Sequence, residues 1–247
     1  MRSVIAAGLV TAVAATCLAQ AESPETKDTA EPAIAVVLGK KIAATDRKRI
    51  SELILKPLFE QYAREQKLEP TPEELDLFVT ASEVQQQETL KKFGRDRDRL
   101  QEELKAPTLS EQERKDKETK LKQLGKILQS LTADKPLTAD EEKQQRAGRR
   151  VVAEHFVKAW KVNKALYEKY GGRVIFQQAG PEPLDAYRKF LQEQEQKRAF
   201  RIDDEEASTA FWKYFKDDSM HVFLKDQEKA ADAINRPWWM RVTPAQE

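Results

Sequence analysis

The chain has 247 residues, among them 43 Lys and Arg, 42 Asp and Glu, 2 His and 1 Cys. So few cysteines and histidines exclude zinc sites built from four cysteines, from two cysteines with two histidines, or from three histidines, and a single cysteine excludes an intramolecular disulfide. The formal net charge of +1 gives no overall attraction to phosphate backbones. We therefore expect no metal site and no nucleic-acid partner, in a mainly helical protein with a lean core.

Residues 1–21 have the pattern of a secretory signal peptide. A short positive start precedes residues 3–19, which are almost all apolar or small, and Ala19-Gln20-Ala21 fits the small-x-small rule of signal peptidase. The pattern predicts cleavage after Ala21 and a periplasmic or secreted protein. A membrane anchor is the first alternative, but the apolar run is at the short limit for a span. Lipidation of Cys17 is the second, and the preceding Thr16 disfavours it.

The next segment predicts a minor β element at the start of the fold. Residues 22–32 are polar and contain two prolines, which is typical of a flexible leader. A β-branched run at residues 34–38, a turn at Gly39-Lys40 and a second run at residues 41–43 predict a small hairpin near the N-terminus. No later stretch is apolar enough to span a bilayer, so we expect no membrane span after signal cleavage.

Four helices are predicted next, three of them by capping boxes. Thr45 fits the N-cap of the first, in which Pro57 predicts a kink and Glu69-Pro70 the end. The boxes are Thr71-Pro72-Glu73-Glu74, Ser110-Glu111-Gln112-Glu113 and Thr138-Ala139-Asp140-Glu141. The last of these helices ends at Gly171-Gly172, which fits a C-cap. Breaks near Pro107 and Pro136 predict antiparallel helical hairpins.

Aromatic residues divide the chain into regions. None occurs from residue 94 to residue 155, and residues 91–150 contain 17 Lys and Arg against 12 Asp and Glu. Such a segment supports helices through i,i+4 pairs and a thin leucine seam, but not the centre of a core. We therefore expect a helical region at 33–93, a charged helical arm at 94–150 and an aromatic-rich helical region at 151–247. The predicted fold is a mainly α helical bundle with a long charged hairpin.

The aromatic-rich region begins with a predicted extended run at residues 173–178. A turn at Ala179-Gly180-Pro181-Glu182-Pro183 leads into a helix with an apolar stripe, and Asp203 and Glu206 fit the start of another capped helix. The end of the chain places Trp238 and Trp239 beside Pro237. Most of these aromatic residues are expected in the core.

Residues 33 to about 80 resemble the N-terminal domain of SurA-type periplasmic chaperones, which are parvulin-linked folding factors. The resemblance rests on Val37-Leu38-Gly39-Lys40-Lys41-Ile42, the capping Thr45, Leu58-Phe59-Glu60-Gln61-Tyr62-Ala63 and the break at residues 68–75. Leu38 stands where the family usually has asparagine. Nothing later in the chain resembles a parvulin domain, since the histidine-isoleucine-leucine opening and the glycine-rich Gly-Gly-x-Leu-Gly stretch are both absent. The resemblance therefore implies a chaperone-like scaffold without prolyl isomerase activity.

No catalytic motif is recognisable in the sequence. His155 and His221 lie outside any known pattern, and G-x-S-x-G, H-E-x-x-H and G-x-x-x-x-G-K-[ST] are missing. Asp203-Asp204-Glu205-Glu206 is better explained by its place at a helix start than by an ion, and the arginines of residues 146–150 lie among compensating acids. We expect no catalytic residue and no cofactor, although acid–base chemistry by a dispersed carboxylate pair stays open.

The sequence thus favours an exported chaperone-like protein that binds unfolded or extended polypeptides, for example outer-membrane proteins. The client-binding candidates are the aromatic residues Phe59, Tyr62, Phe176, Trp238 and Trp239. The alternative is a periplasmic structural or adaptor protein that binds its partner through the charged arm. An enzyme with an unfamiliar site is the third class, and neither the clients nor the oligomeric state follow from the sequence.

Overall fold

A computed structural model describes residues 32–132, 138–177 and 180–242. It confirms the mainly α fold class: seven α-helices and a small antiparallel sheet near the N-terminus make up most of the described chain. The predicted signal peptide, residues 22–31 of the predicted leader and the predicted break at Pro136 lie outside the described residues.

The helices are α1 (Ile50–Glu65), α2 (Pro72–Glu103), α3 (Glu111–Leu131), α4 (Ala139–Tyr170), α5 (Leu184–Gln196), α6 (Glu205–Lys216) and α7 (Gln227–Asn235). The strands are β1 (Ala33–Val37), β2 (Lys40–Ala43), β3 (Ile175–Gln177), β4 (Gly180–Glu182) and β5 (Phe200–Ile202). Short 3-10 helices cover Ala44–Arg49, Asp218–Met220 and Trp238–Met240.

The predicted N-terminal hairpin is present, with its turn one residue earlier than expected. Leu38 and Gly39 form the two-residue loop between β1 and β2, at φ 47° and 79°. Two positive φ values are what a tight hairpin turn requires, because they match the twist of the paired strands. β1 also pairs with β5, with Val37 opposite Phe200, so the sheet order is β2-β1-β5. Strand β5 was not among the predicted elements.

Two details of the first helix differ from the predictions. Thr45 is not the N-cap: Ala43 occupies that position ahead of a 3-10 turn, which leads directly into α1. The helix ends at Glu65, four residues before the expected Glu69, because the backbone takes a left-handed conformation at Lys67 (φ 55°). Pro57, at which the sequence predicts a kink, lies inside α1.

The three capping boxes are confirmed. Thr71 and Glu74 exchange side-chain and backbone hydrogen bonds at the start of α2, and Ser110 and Glu113 do so at α3. Thr138 and Glu141 make the same exchange at α4. α4 ends as predicted, since Gly171 has φ 60° and donates its N–H to the Tyr167 carbonyl.

The chain forms two compact units. The first contains the described residues up to Gln61 together with Leu166–Ala230, and the second contains Tyr62–Ala165 and the described residues from Ala231 onward. These units cut across the segments 33–93, 94–150 and 151–247 expected from the sequence, because α1 and α4 each contribute residues to both.

The core of the first unit is rich in aromatic residues. Phe200 from β5 packs against Phe211 and Trp212 of α6, with ring centroids 5.8 and 6.4 Å apart. The fully buried aliphatic side chains of this unit include Ile54, Leu58, Leu166, Ile175, Leu184 and Leu191. The short strand β5 is therefore held by its ring contacts as well as by the sheet.

The second unit is an antiparallel arrangement of α2, α3 and α4 with a small core of its own. That core contains Phe78, Val79, Ala81, Ala153, Val157 and Trp239. Ion pairs and a hydrogen bond connect α3 and α4 to α2. Lys117 of α3 pairs with Glu103, Arg150 of α4 pairs with Asp76, and Arg149 donates to the Gln86 amide oxygen at 2.6 Å. The arginines of residues 146–150 therefore bind side chains of α2.

Candidate functional site

A row of three apolar side chains, two exposed and one half-buried, crosses a second sheet of the first unit, which is formed by β3 and β4. In the antiparallel pairing of β3 with β4, Phe176 lies opposite Pro181. On the other side of β3, Ile175 faces Phe223 in an isolated bridge, and Leu224 N–H donates to the Val174 carbonyl at 2.8 Å. This register sets Val222 beside Phe176. We call Pro181, Phe176 and Val222 the Phe176 surface.

Two of the three side chains of the Phe176 surface are largely exposed to solvent. Phe176 is 67% exposed and Val222 is 86% exposed, whereas Ile175, the strand neighbour of Phe176, is 1% exposed. This alternation follows from the two-residue period of a strand. Met220, two residues before Val222, is also 54% exposed. Because contiguous exposed apolar side chains often mark interaction sites, the row is the candidate binding surface.

Tyr214 of α6 joins the segments beneath this surface. Its hydroxyl donates to the Glu182 carboxylate, 3.2 Å from both oxygens, and accepts a hydrogen bond from the Gln177 amide at 3.1 Å. Its backbone carbonyl lies 2.6 Å from His221 Nε2, which donates the proton of that bond. Strands β3 and β4 and the segment around His221 are thus tied to one residue. We call these four residues the Tyr214 clamp.

Burial controls the protonation chemistry of the clamp. Desolvation raises the pKa of Glu182, although the hydrogen bond from Tyr214 and the nearby His221 act in the opposite direction. Desolvation, followed by the charge of Glu182, raises the pKa of Tyr214 to about 12. Tyr214 is therefore a hydroxyl donor at neutral pH, and the Glu182 carboxylate depends on it for compensation of its buried charge.

An ionic node fixes the start of β3. The Arg173 guanidinium donates to Asp185 at 2.9 and 3.0 Å and to Asp218 at 2.6 and 3.0 Å. Its carbon lies 4.1 Å from the centroid of the Phe223 ring. Burial opposes ionisation of Asp185, but hydrogen bonds from Arg173 outweigh it and lower the pKa of Asp185. The node therefore holds α5 and the segment around Asp218 against the strand that carries Phe176.

The five predicted client-binding residues have different environments. Phe59 is half-buried against Tyr187, at a ring distance of 4.8 Å. Tyr62 and Trp239 are buried, at 7% and 5% exposure. Trp238 is 37% exposed, with its ring 5.4 Å from that of Phe78.

The five residues also belong to different units. Phe59 and Phe176 are in the first unit, and Tyr62, Trp238 and Trp239 are in the second. Phe176 is the most exposed of the five. Sequence reasoning missed the other members of its surface and the whole Tyr214 clamp. The alternation in His221-Val222-Phe223-Leu224 was the available signal, but four residues carry too little of it.

The other polar groups singled out in the sequence have structural partners. Asp204, one residue after the expected Asp203, is the N-cap of α6 and accepts from the Ala207 N–H at 2.8 Å. Arg47 pairs with Asp204 and with Glu206. His155 is exposed on α4, next to the Phe156 ring.

Two further findings concern the described part of the chain. No group of three or more His, Cys, Asp or Glu side chains there is arranged to hold a metal ion. None of its helices combines the length and the apolar character that crossing a bilayer requires.

Comparison of the chain with protein-family models, with curated proteins and with solved structures finds no match. The functional interpretation therefore rests on the residues of the chain and on the geometry of the Phe176 surface.

Proposed function

We propose that the protein is an exported chaperone-like protein that binds unfolded or extended polypeptides without prolyl isomerase activity. The observation that carries the proposal is the Phe176 surface, where Phe176 and Val222 are 67% and 86% exposed on a sheet whose other side faces the core. The secretory pattern of residues 1–21 and the SurA-like sequence of residues 33 to about 80 support the same conclusion.

The surface suits weak and reversible binding. Covering an exposed Phe or Val side chain contributes about 1–2 kcal/mol, so a row of this size gives transient contacts with many apolar sequences. The Tyr214 clamp and the Arg173 node hold the underlying segments in place, which reduces the entropy lost when a client binds. Charged side chains make up 34% of the chain and keep a complex with an apolar client in solution.

The proposal is tested by comparing two surface variants of the purified protein. One is the double variant Phe176→Ser and Val222→Ser. The other is Val151→Ser on α4, a matched control because Val151 is 70% exposed and lies outside the Phe176 surface. Binding of a fluorescent extended peptide with alternating aromatic residues is measured by anisotropy, and aggregation of an unfolded outer-membrane protein by light scattering.

We expect the double variant to weaken peptide binding by about tenfold, which corresponds to about 1.4 kcal/mol, and to lose most suppression of aggregation. The control should keep both activities. Equal losses in the two variants, or a wild-type protein that neither binds the peptide nor delays aggregation, would refute the assignment.

The absence of isomerase activity has its own assay. Turnover of a prolyl peptide in the presence of the protein should stay at the uncatalysed rate, because cis/trans isomerisation of a free X–Pro bond takes tens to hundreds of seconds. A rate that rises in proportion to the protein concentration would contradict this part of the proposal. The mass of the protein recovered from the periplasm tests export, since cleavage after Ala21 leaves Glu22 as the first residue.

A further inference from the structure

Positive charge is concentrated in one stretch of the α2–α3 hairpin. Residues 91–99 of α2 and residues 119–131 of α3 together contain eight Lys and Arg and two Asp. The two segments lie side by side, because the helices are antiparallel and contacts bracket them at both ends. Lys117 pairs with Glu103 at one end, and Gln86 donates to the Leu131 carbonyl at 3.4 Å at the other. We call these two segments the basic stretch.

Half of these cations have no carboxylate partner among the described residues. Three form ion pairs within α2, namely Lys91 with Glu88, Arg97 with Asp98 and Arg99 with Asp96. A fourth, Lys120, acts electrostatically on Glu103. The remaining four are exposed and form no ion pair with a described carboxylate: Lys92, Arg95, Lys122 and Lys126. Their charge is therefore available to an anionic partner.

The chemistry of the basic stretch indicates which kind of anionic partner fits. All its exposed residues except Gly125 have charged or polar side chains. Leu124, the one buried apolar residue of the two segments, is covered by the protein itself. Specific protein interfaces have a desolvated core of aromatic and apolar residues, which this surface lacks. An anionic lipid surface needs no such core, because it attracts clustered Lys and Arg through charge alone.

We propose that the basic stretch docks the protein onto the surface of a bilayer containing anionic phospholipids. Binding is peripheral and electrostatic, since no exposed apolar side chain in the stretch is available for insertion. The basic stretch belongs to the second unit and shares no residue with the Phe176 surface of the first unit. Raising the salt to 0.5 M should release the protein, because the Debye length then falls to about 3–5 Å.

The test uses the full chain and two quadruple variants with the same change in charge. In the first, the four unpaired cations of the basic stretch become Gln: K92Q, R95Q, K122Q and K126Q. The control changes four exposed lysines of the first unit: K40Q, K41Q, K48Q and K56Q. Cosedimentation is measured with phosphatidylcholine vesicles, with and without phosphatidylglycerol, at low salt and at 0.5 M salt. Circular dichroism checks the helical content of each variant.

We expect the wild type to prefer the anionic vesicles, and the first variant to lose about tenfold or more of that preference while the control keeps it. Equal losses in the two variants would mean that net charge alone acts, and would overturn the site. Binding that persists at 0.5 M salt, or that does not distinguish the two vesicle types, would overturn the mechanism. Retention by immobilised polyglutamate without vesicle binding would replace the lipid by an acidic protein.

Discussion

The sharpest structural prediction concerns Gly172, the residue between the end of α4 and the Arg173 node. Its φ is +102°, a conformation that L side chains rarely adopt, and a Cβ built on it would lie 2.4 Å from the Cβ of Asp185. Gly172→Ala should therefore have two effects: it should strain the backbone at residue 172, and it should displace Asp185. The displacement matters because Asp185 accepts three hydrogen bonds from Arg173, which hold the start of β3.

The expected loss of unfolding free energy is about 3–5 kcal/mol. The positive φ contributes about 1–2 kcal/mol for a residue with a side chain. Two carbon atoms prefer a separation of about 3.5–4.0 Å, so Asp185 must move by more than about 1 Å. Such a shift weakens charge-assisted hydrogen bonds that contribute about 1.5–3 kcal/mol each, and losing most of one accounts for the rest.

The adjacent glycine supplies the control. Gly171 has φ +60°, and a Cβ there would meet nothing within 4 Å. Gly171→Ala should therefore lose only the backbone component, about 1–2 kcal/mol. Urea denaturation followed by circular dichroism gives both values, with the m-value checked for constancy. If the two variants were equally destabilised, the contact with Asp185 would not be the cause and the reasoning would be refuted.

Three more predictions concern other parts of the fold. Because burial raises the pKa of Glu182, its protonated form stabilises the fold below the ordinary pKa, and that stability is lost as the pH rises through the raised value. Glu182→Gln should remove this component, so the urea midpoints of wild type and variant should diverge as the pH rises above the ordinary pKa of a glutamate, and parallel profiles would contradict the burial argument. Leu38→Asn should raise the unfolding free energy by about 0.5–1 kcal/mol, because Asn tolerates the left-handed turn conformation better than Leu. A lower thermal midpoint for that variant would mean that packing of the Leu38 side chain outweighs the strain. Trp239→Ala should cost the second unit about 3–5 kcal/mol, since the ring packs against Phe78 and Trp160; unchanged near-ultraviolet circular dichroism would place the ring outside the core.

The sequence by itself determined the helical framework, because its signals are local. A capping box is complete within four residues, so Thr71 with Glu74 and Ser110 with Glu113 were recognisable without any tertiary contact. Gly171 likewise marked the end of α4 through its own backbone freedom. The leucine spacing of residues 121–131 predicted a helix with one buried seam, and Leu124 is its buried residue.

Only the tertiary structure decided the small strands and the Phe176 surface. β5 has three residues and becomes a strand because β1 pairs with it, a contact between residues more than 150 positions apart. The exposure of Phe176 and the burial of Trp239 are equally invisible in the sequence, since an aromatic residue has the same local signal in a core and on a surface. The Tyr214 clamp joins residues 177, 182, 214 and 221, whose hydrogen bonds have no periodicity along the chain. Local signals therefore located the starts of α2, α3 and α4 and the end of α4, whereas the register of distant segments decided which side chains meet and which remain exposed.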